Sequence, residues 1–119
     1  MKNIFFALLM VFIGIDSIGQ EAKVLKENFY STGELKSKFI EINRSLVQVT
    51  YYFQSGVISE TGFYVNEKLT GKWKTYNIDS ELISIGYFED NQKSGIWSFF
   101  KDGDLVNEIS YESHQFAEK

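Results

Sequence analysis

The sequence predicts an all-β protein, an elongated single-layer antiparallel meander of repeated β-hairpins that follows a cleaved N-terminal signal peptide. Three observations carry this prediction: an aromatic and glycine pattern that recurs every 23 to 24 residues, alternating runs between turn signals, and the absence of proline from all 119 residues. A fixed period in this range marks a repeat architecture. Alternation near period two marks strands, and without proline no ladder is interrupted.

The elements follow in chain order. Residues 1–19 open with one positive charge at Lys2, continue through an apolar run from Ile4 to Ile15, and end on the small residues Ser17 and Gly19. This is the layout of a secretory signal, with cleavage after Gly19 and a mature chain that begins at Gln20. The run is shorter than the ~20 residues that span a bilayer, and Asp16 interrupts it, so no transmembrane segment is expected in the mature chain. Export to the periplasm or the cell exterior is the localisation that follows.

Aromatic pairs then recur at Phe29-Tyr30, Tyr52-Phe53, Thr75-Tyr76 (one aromatic lost) and Phe99-Phe100. Three residues after each pair stands a turn position, filled by Gly33, Gly56 and Gly103, and in the third unit by the segment Asn77 to Ser80. Glycine suits a turn that needs positive φ. An aliphatic residue restarts each strand at Leu35, Ile58 and Leu105, with Leu82 in this place after a one-residue slip. Repeats are expected at about 29–51, 52–74, 75–98 and 99–112.

A second phrase recurs at a spacing of 24: Gly62 with Gly86, Gly71 with Gly95, Trp73 with Trp97, and Tyr76 with Phe100. The polar clusters Val65-Asn66-Glu67-Lys68 and Glu89-Asp90-Asn91-Gln92 between these marks read as hairpin turns. Ile83, Ile85 and Tyr87 alternate onto one side of a strand, and Trp97 and Phe99 onto one side of the next. About eight short strands result.

These residues resemble the MORN-repeat variant family, whose unit is similar to Tyr-x-Asn-Gly-Lys-x-x-Gly-x-Trp-x-x-Tyr-x-x-x-Gly-x-Leu. The stretches from Tyr64 to Tyr76 and from Phe88 to Phe100 carry the resemblance, which extends from about Phe29 to Tyr111. Both copies lack the glycine of the Asn-Gly turn and have Glu67 and Asn91 there. Asn91 tolerates a left-handed backbone, whereas Glu67 argues against a two-residue type I′ turn. The segment Ile42 to Thr50 is a degenerate unit in which Gln48 and Thr50 stand at the places of Gly and Trp. The resemblance implies consecutive hairpins in one twisted sheet, and roles as scaffolding or binding modules; some bacterial members are antitoxin components.

Chemistry is sparse. No cysteine occurs, which excludes disulfides, thiolate metal sites and a lipidated cysteine. The single histidine, His114, lies in the polar tail, so no catalytic triad or histidine-rich metal site is expected. Glu89-Asp90 and the pair Asp102 and Asp104 invite a carboxylate hydrolase or calcium reading, but they stand where turns favour Asp and Asn. No catalytic residue, cofactor or metal is assigned, and the chain is not expected to be an enzyme. The net charge of −4 disfavours nucleic acid as a partner.

Lys68, Lys72 and Lys74 form a small basic cluster, and alternation places Lys72, Lys74 and Tyr76 on one strand face. That face is the candidate contact surface for a protein or an envelope component. Gly33, Gly56, Gly71, Gly103, Gly95, Trp73 and Trp97 are assigned to the repeat's own structure. The expected function is an exported, non-catalytic binding module. The alternatives are an antitoxin-like inhibitor of a cognate toxin and, from another class, a carboxylate-dependent hydrolase.

Overall fold

A computed structural model describes residues 22–111. Residues 1–19, where a signal peptide is expected, and His114 lie outside the described residues. Eight strands follow in sequence: β1 (Lys23–Phe29), β2 (Leu35–Glu41), β3 (Leu46–Tyr52), β4 (Ile58–Val65), β5 (Lys68–Tyr76), β6 (Leu82–Glu89), β7 (Gln92–Lys101) and β8 (Asp104–Tyr111). They form one open sheet in the order of the chain, every neighbour antiparallel. No helix occurs among the described residues, as the sequence predicts.

Two kinds of turn recur, apart from the loop at 42–45 that joins β2 to β3. The wider ones close at Gly33, Gly56 and Ser80, with φ of 106°, 100° and 69°. In each, the turn's first residue donates across the neck: Tyr30 to Glu34, Phe53 to Val57 and Asn77 to Glu81, at 2.8, 2.8 and 2.9 Å. Ser80 occupies the glycine position without being glycine. Asn77 supports it, its side-chain oxygen accepting from the N–H groups of Asp79 and Glu81 at 2.9 and 3.0 Å.

The tight turns are Asn66-Glu67, Asp90-Asn91 and Asp102-Gly103, and all six residues have positive φ. A two-residue turn with both centres left-handed has the φ signature of type I′, whose twist matches that of the flanking strands. Glu67, at φ 68°, therefore adopts the conformation its side chain argues against. Pairing of Val65 with Lys68 leaves room for only two residues there, and strand register overrides local preference. Neighbouring hairpins are also tied at their turns. The Leu69 N–H donates to the Asn91 side chain at 2.8 Å, and the Tyr30 hydroxyl donates to the Tyr52 carbonyl at 2.6 Å.

Register corrects the repeat alignment in two places. Phe29, Tyr52, Tyr76 and Phe100 pair with Leu35, Ile58, Leu82 and Leu105, so Tyr76 matches Tyr52, and Asn77 matches Phe53. The third unit is thus in step, and the lost residue belongs to the fourth, whose turn is the tight Asp102-Gly103. The tryptophan place of the degenerate unit is filled by neither Gln48 nor Thr50. Val49 holds it, opposite Gly62 as Trp73 is opposite Gly86.

The packed face is organised by one contact. Gly62 on β4 stands alone against Gly71, Lys72 and Trp73 on β5, because the ladder passes from Thr61 with Lys74 to Phe63 with Thr70. Gly71, at φ 71°, supplies the left-handed residue of that bulge. The extra length lets the indole fold back over the glycine. A Cβ on Gly62 would lie 2.0 Å from Trp73, and one on Gly86 2.0 Å from Trp97, which repeats the device with Gly95 as bulge residue. In the first unit the sizes are exchanged, with Phe39 opposite the fully buried Val49.

Around the indoles runs a continuous aromatic ladder on the same face, which we call the tryptophan face. Phe39 meets Tyr51 and Tyr64, and Tyr64 meets Trp73. Phe88 stands between the two tryptophans at 5.6 and 5.3 Å, and Tyr111 closes the series on Trp97 at 6.1 Å. The tryptophans share a face, as the sequence indicates, but each touches Phe88 and not the other. Most contacts are edge-on, the geometry that aromatic quadrupoles favour. Lys93 caps Trp97 at 4.8 Å. The Trp97 indole N–H donates to the Tyr87 carbonyl at 3.1 Å.

Gly86→Ala must displace the Trp97 ring and is expected to lower stability by about 1 to 3 kcal/mol. Trp97→Ala removes the ring and is expected to cost about 3 to 5 kcal/mol. With the ring gone the methyl meets no obstacle, so urea melts of the double variant should show a much smaller cost for Gly86→Ala. Additive costs would mean that the glycine is kept for another reason.

Candidate functional site

Alternation away from the indoles defines the opposite, lysine face. Lys72 pairs with Tyr87, Lys74 with Ile85 and Thr61, and Ile85 with Ser98. Lys72 is exposed and Lys74 half-buried. Tyr76 follows at the next alternate position and ends the strand across from Leu82, while the extra residue of the register shift there, Ile83, belongs to β6. The structure therefore brings Lys72 and Lys74 together as the sequence proposes, and sets Tyr76 at the border of their surface.

The aromatic residue beside the lysines is Tyr87, which the sequence reading placed on a strand side but did not assign to the site. Beyond it lies a shallow groove of about 720 Å³ between β6 and β7, lined by Ile85, Tyr87, Ser94, Ile96, Ser98 and Phe100. Ile83, Tyr87 and Ile96 are 38, 39 and 53 % exposed. They are apolar, they lie on the face without tryptophans, and no second layer covers them among the described residues. The alternation of Ile83, Ile85 and Tyr87 was visible in the sequence. Which face of the sheet was the covered one was not.

The remaining assigned residues are structural. Gly33, Gly56, Gly71, Gly95 and Gly103 all have positive φ. Trp73 and Trp97 are 5 and 8 % exposed, too deep to offer a contact surface. Asp90 and Asp102 open tight turns at φ 52° and 53°, so turn geometry accounts for their positions. No group of three potential metal ligands occurs among the described residues. No described helix is long and apolar enough to cross a membrane, which leaves strand-built spans unaddressed.

One ionisable pair stands apart, on the tryptophan face. Glu60 lies between Tyr51 and Thr75 in the ladder. Burial pushes its carboxyl above the usual range. Burial also raises the Tyr51 phenol, with contributions from the Tyr64 hydroxyl and from the charge of Glu60. The same row holds the hydroxyls of Ser37, Thr75 and Ser84, with Asn28 donating to Ser37 at 2.8 Å. It is a polar strip inside a packed face.

The comparisons with known proteins bear on the fold. No protein-family model and no curated protein matches the chain. Solved structures of TarM do: one aligns with 83 % of this chain and 21 % of its own, at 12 % identity and a TM-score of 0.50. A second, of an S. aureus TarM variant in complex with fondaparinux, alpha-GlcNAc-glycerol and UDP, aligns over 85 % of this chain and 22 % of its own, at 12 % identity and a TM-score of 0.53. The likeness is one of fold. The chain spans about a fifth of the length of the structures it matches, and the identity carries no function across.

Because the folded state holds the Glu60 proton more tightly than the unfolded chain, ionisation of Glu60 destabilises the fold. Stability from this group is greatest below the unfolded value and falls as pH rises through the elevated folded value. Glu60→Gln is accordingly expected to melt at higher urea than the parent at pH 7. The gap should close as pH falls below the ordinary carboxylate range, and a gap independent of pH would refute the assignment.

Proposed function

We propose that the chain is an exported binding module of the MORN-repeat variant type, which presents the lysine face to a protein or an envelope component. The observation that carries this reading is the exposed apolar surface of Ile83, Tyr87 and Ile96, bordered by Lys72 and Lys74 on one uncovered face. Isolated exposed apolar residues need no explanation, but a contiguous set rimmed by charge marks contact surfaces. Tyr87 beside Lys72 offers a large amphipathic ring together with a cation, a pairing common at binding hot spots.

Physical chemistry sets what such a face can do. Lysine supplies a point charge on a flexible stem, suited to guiding an acidic partner without a fixed bidentate geometry. The groove supplies desolvation for an apolar side chain. Together they suit an acidic and apolar surface of a partner and need no catalytic group on this chain.

The double substitution Lys72→Ala with Lys74→Ala tests the surface. Stability should change by no more than about 0.5 kcal/mol per substitution, because exposed charges contribute little to folding. Retention of a partner captured from the envelope fraction of the native host should weaken at low salt and converge with the parent at high salt. Equal retention at low salt would remove this face from consideration.

Export is tested separately. Amino-terminal sequencing of the protein isolated from its native host should begin at Gln20. A sequence that begins at Met1 would refute cleavage.

A further inference from the structure

Among the described residues the open sheet has two edge strands, β1 and β8, and they differ. β1 carries Lys23 and Lys26, and a register shift between Val24 and Lys26 breaks its ladder in the middle. Lysines and bulges are the devices by which edge strands are kept from pairing with other chains. β8 has the sequence DLVNEISY, without a lysine, an arginine or a proline. Its one register shift, between its pairings to Phe99 and Phe100, lies next to the turn.

That shift does not disable the edge, because β2 and β6 have the same irregularity at the same place and still pair outward. β2 pairs outward through Ser37–Glu41, five residues past its shift, and β6 through residues that begin at Ser84. The matching positions of β8 are Asn107–Tyr111. They form a regular segment as long as the one that joins β2 to β3, with Glu108 as its one charged residue, and Ile109 within it is 39 % exposed.

We propose that β8 pairs antiparallel with β8 of a second copy, about a two-fold axis through Ile109. In this register Ile109 faces its own copy, Glu108 faces Ser110, and Asn107 faces Tyr111. No acid meets an acid, whereas a register shifted to centre on Glu108 would set two carboxylates against each other. Ile109 already lies opposite Trp97 in the row that runs Trp73, Gly86, Trp97, Ile109. The pairing continues that row into the partner's Ile109 and Trp97. Each Tyr111 stands across the seam from Asn107 of the other copy, and sixteen strands form one sheet.

The two-fold axis stands perpendicular to the sheet, so both lysine faces look the same way. Seven strand spacings separate the two copies of Lys74, about 34 Å on an untwisted sheet. A dimer would thus offer two equivalent contact surfaces, with the gain from tethering that bivalence gives. The dimer itself does not rest on the binding reading and is tested without a partner.

Sedimentation equilibrium of the full chain should give a dimer mass that dissociates on dilution. Ile109→Lys places two lysines against each other and should return the mass to that of a monomer, with the fold checked by a urea melt. Because the chain has no cysteine, a single introduced one reports on register. Under mild copper-catalysed oxidation, Ile109→Cys should be trapped as a disulfide-linked dimer. Val106→Cys, which the register sets far from its own copy, should stay monomeric on a non-reducing gel. A parent that is monomeric throughout, a dimer that survives Ile109→Lys, or equal cross-linking at both positions would each overturn the proposal.

Discussion

Everything regular about this sheet depends on an indole lying flat on a glycine. A single layer has no second layer to bury its large side chains, so they must be buried against their own backbone. Only a residue without a Cβ lets a ring approach a neighbouring strand so closely, and at Gly62 and Gly86 the space a methyl would need is already filled by Trp73 and Trp97. The bulges at Gly71 and Gly95 supply the slack that lets the indole turn back. The repeat is therefore a packing unit of three residues, glycine opposite, glycine in the bulge and tryptophan two residues later, and the period of 24 is the distance at which it can recur. Phe39 over Val49 satisfies the same volume with the roles exchanged.

Once one face is consumed in this way, the other is free to differ. Each ring of the aromatic ladder is held by at least one neighbouring ring, from Tyr51 to Tyr111, and a change there is felt along the ladder. Residues of the lysine face have no such ring-to-ring dependence. The tight turns contribute in the same sense: Asn66-Glu67, Asp90-Asn91 and Asp102-Gly103 hold left-handed conformations that Gly, Asn and Asp adopt at little cost and Glu67 does not, so strand pairing must outweigh local preference at Glu67.

Much of this was legible in the sequence because the repeat writes its geometry into glycine and tryptophan spacing. The eight strands, their order and the turns at Gly33, Gly56 and Gly103 follow from period and turn chemistry alone. The errors came where chemistry and geometry part. Val49 shares no chemistry with tryptophan yet holds its place, and Ser80 holds a glycine place because Asn77 braces the loop. Tyr76 keeps its alternate place with the lysines, and the extra residue of the shift beside it falls on β6 at Ile83. Tyr87 was not grouped with the lysines because alternation reveals two faces without saying which is covered. Only the approach of Trp97 to Gly86 decides that.

The ends of the array obey different constraints from its middle. At β1 the place that tryptophan holds in β5 and β7 belongs to Lys26, whose stem and charge lie over Phe39 at 5.9 Å. A lysine can cover a ring with its methylenes while keeping its ammonium in water, so it ends an aromatic row without leaving it bare. At β8 the corresponding row ends on Ile109, which has no charged tip to turn toward solvent. An apolar residue at that place is suited to a row that continues and a lysine to one that stops. The same packing rule that builds the middle thus separates the two edges, one closed by charge and the other left apolar.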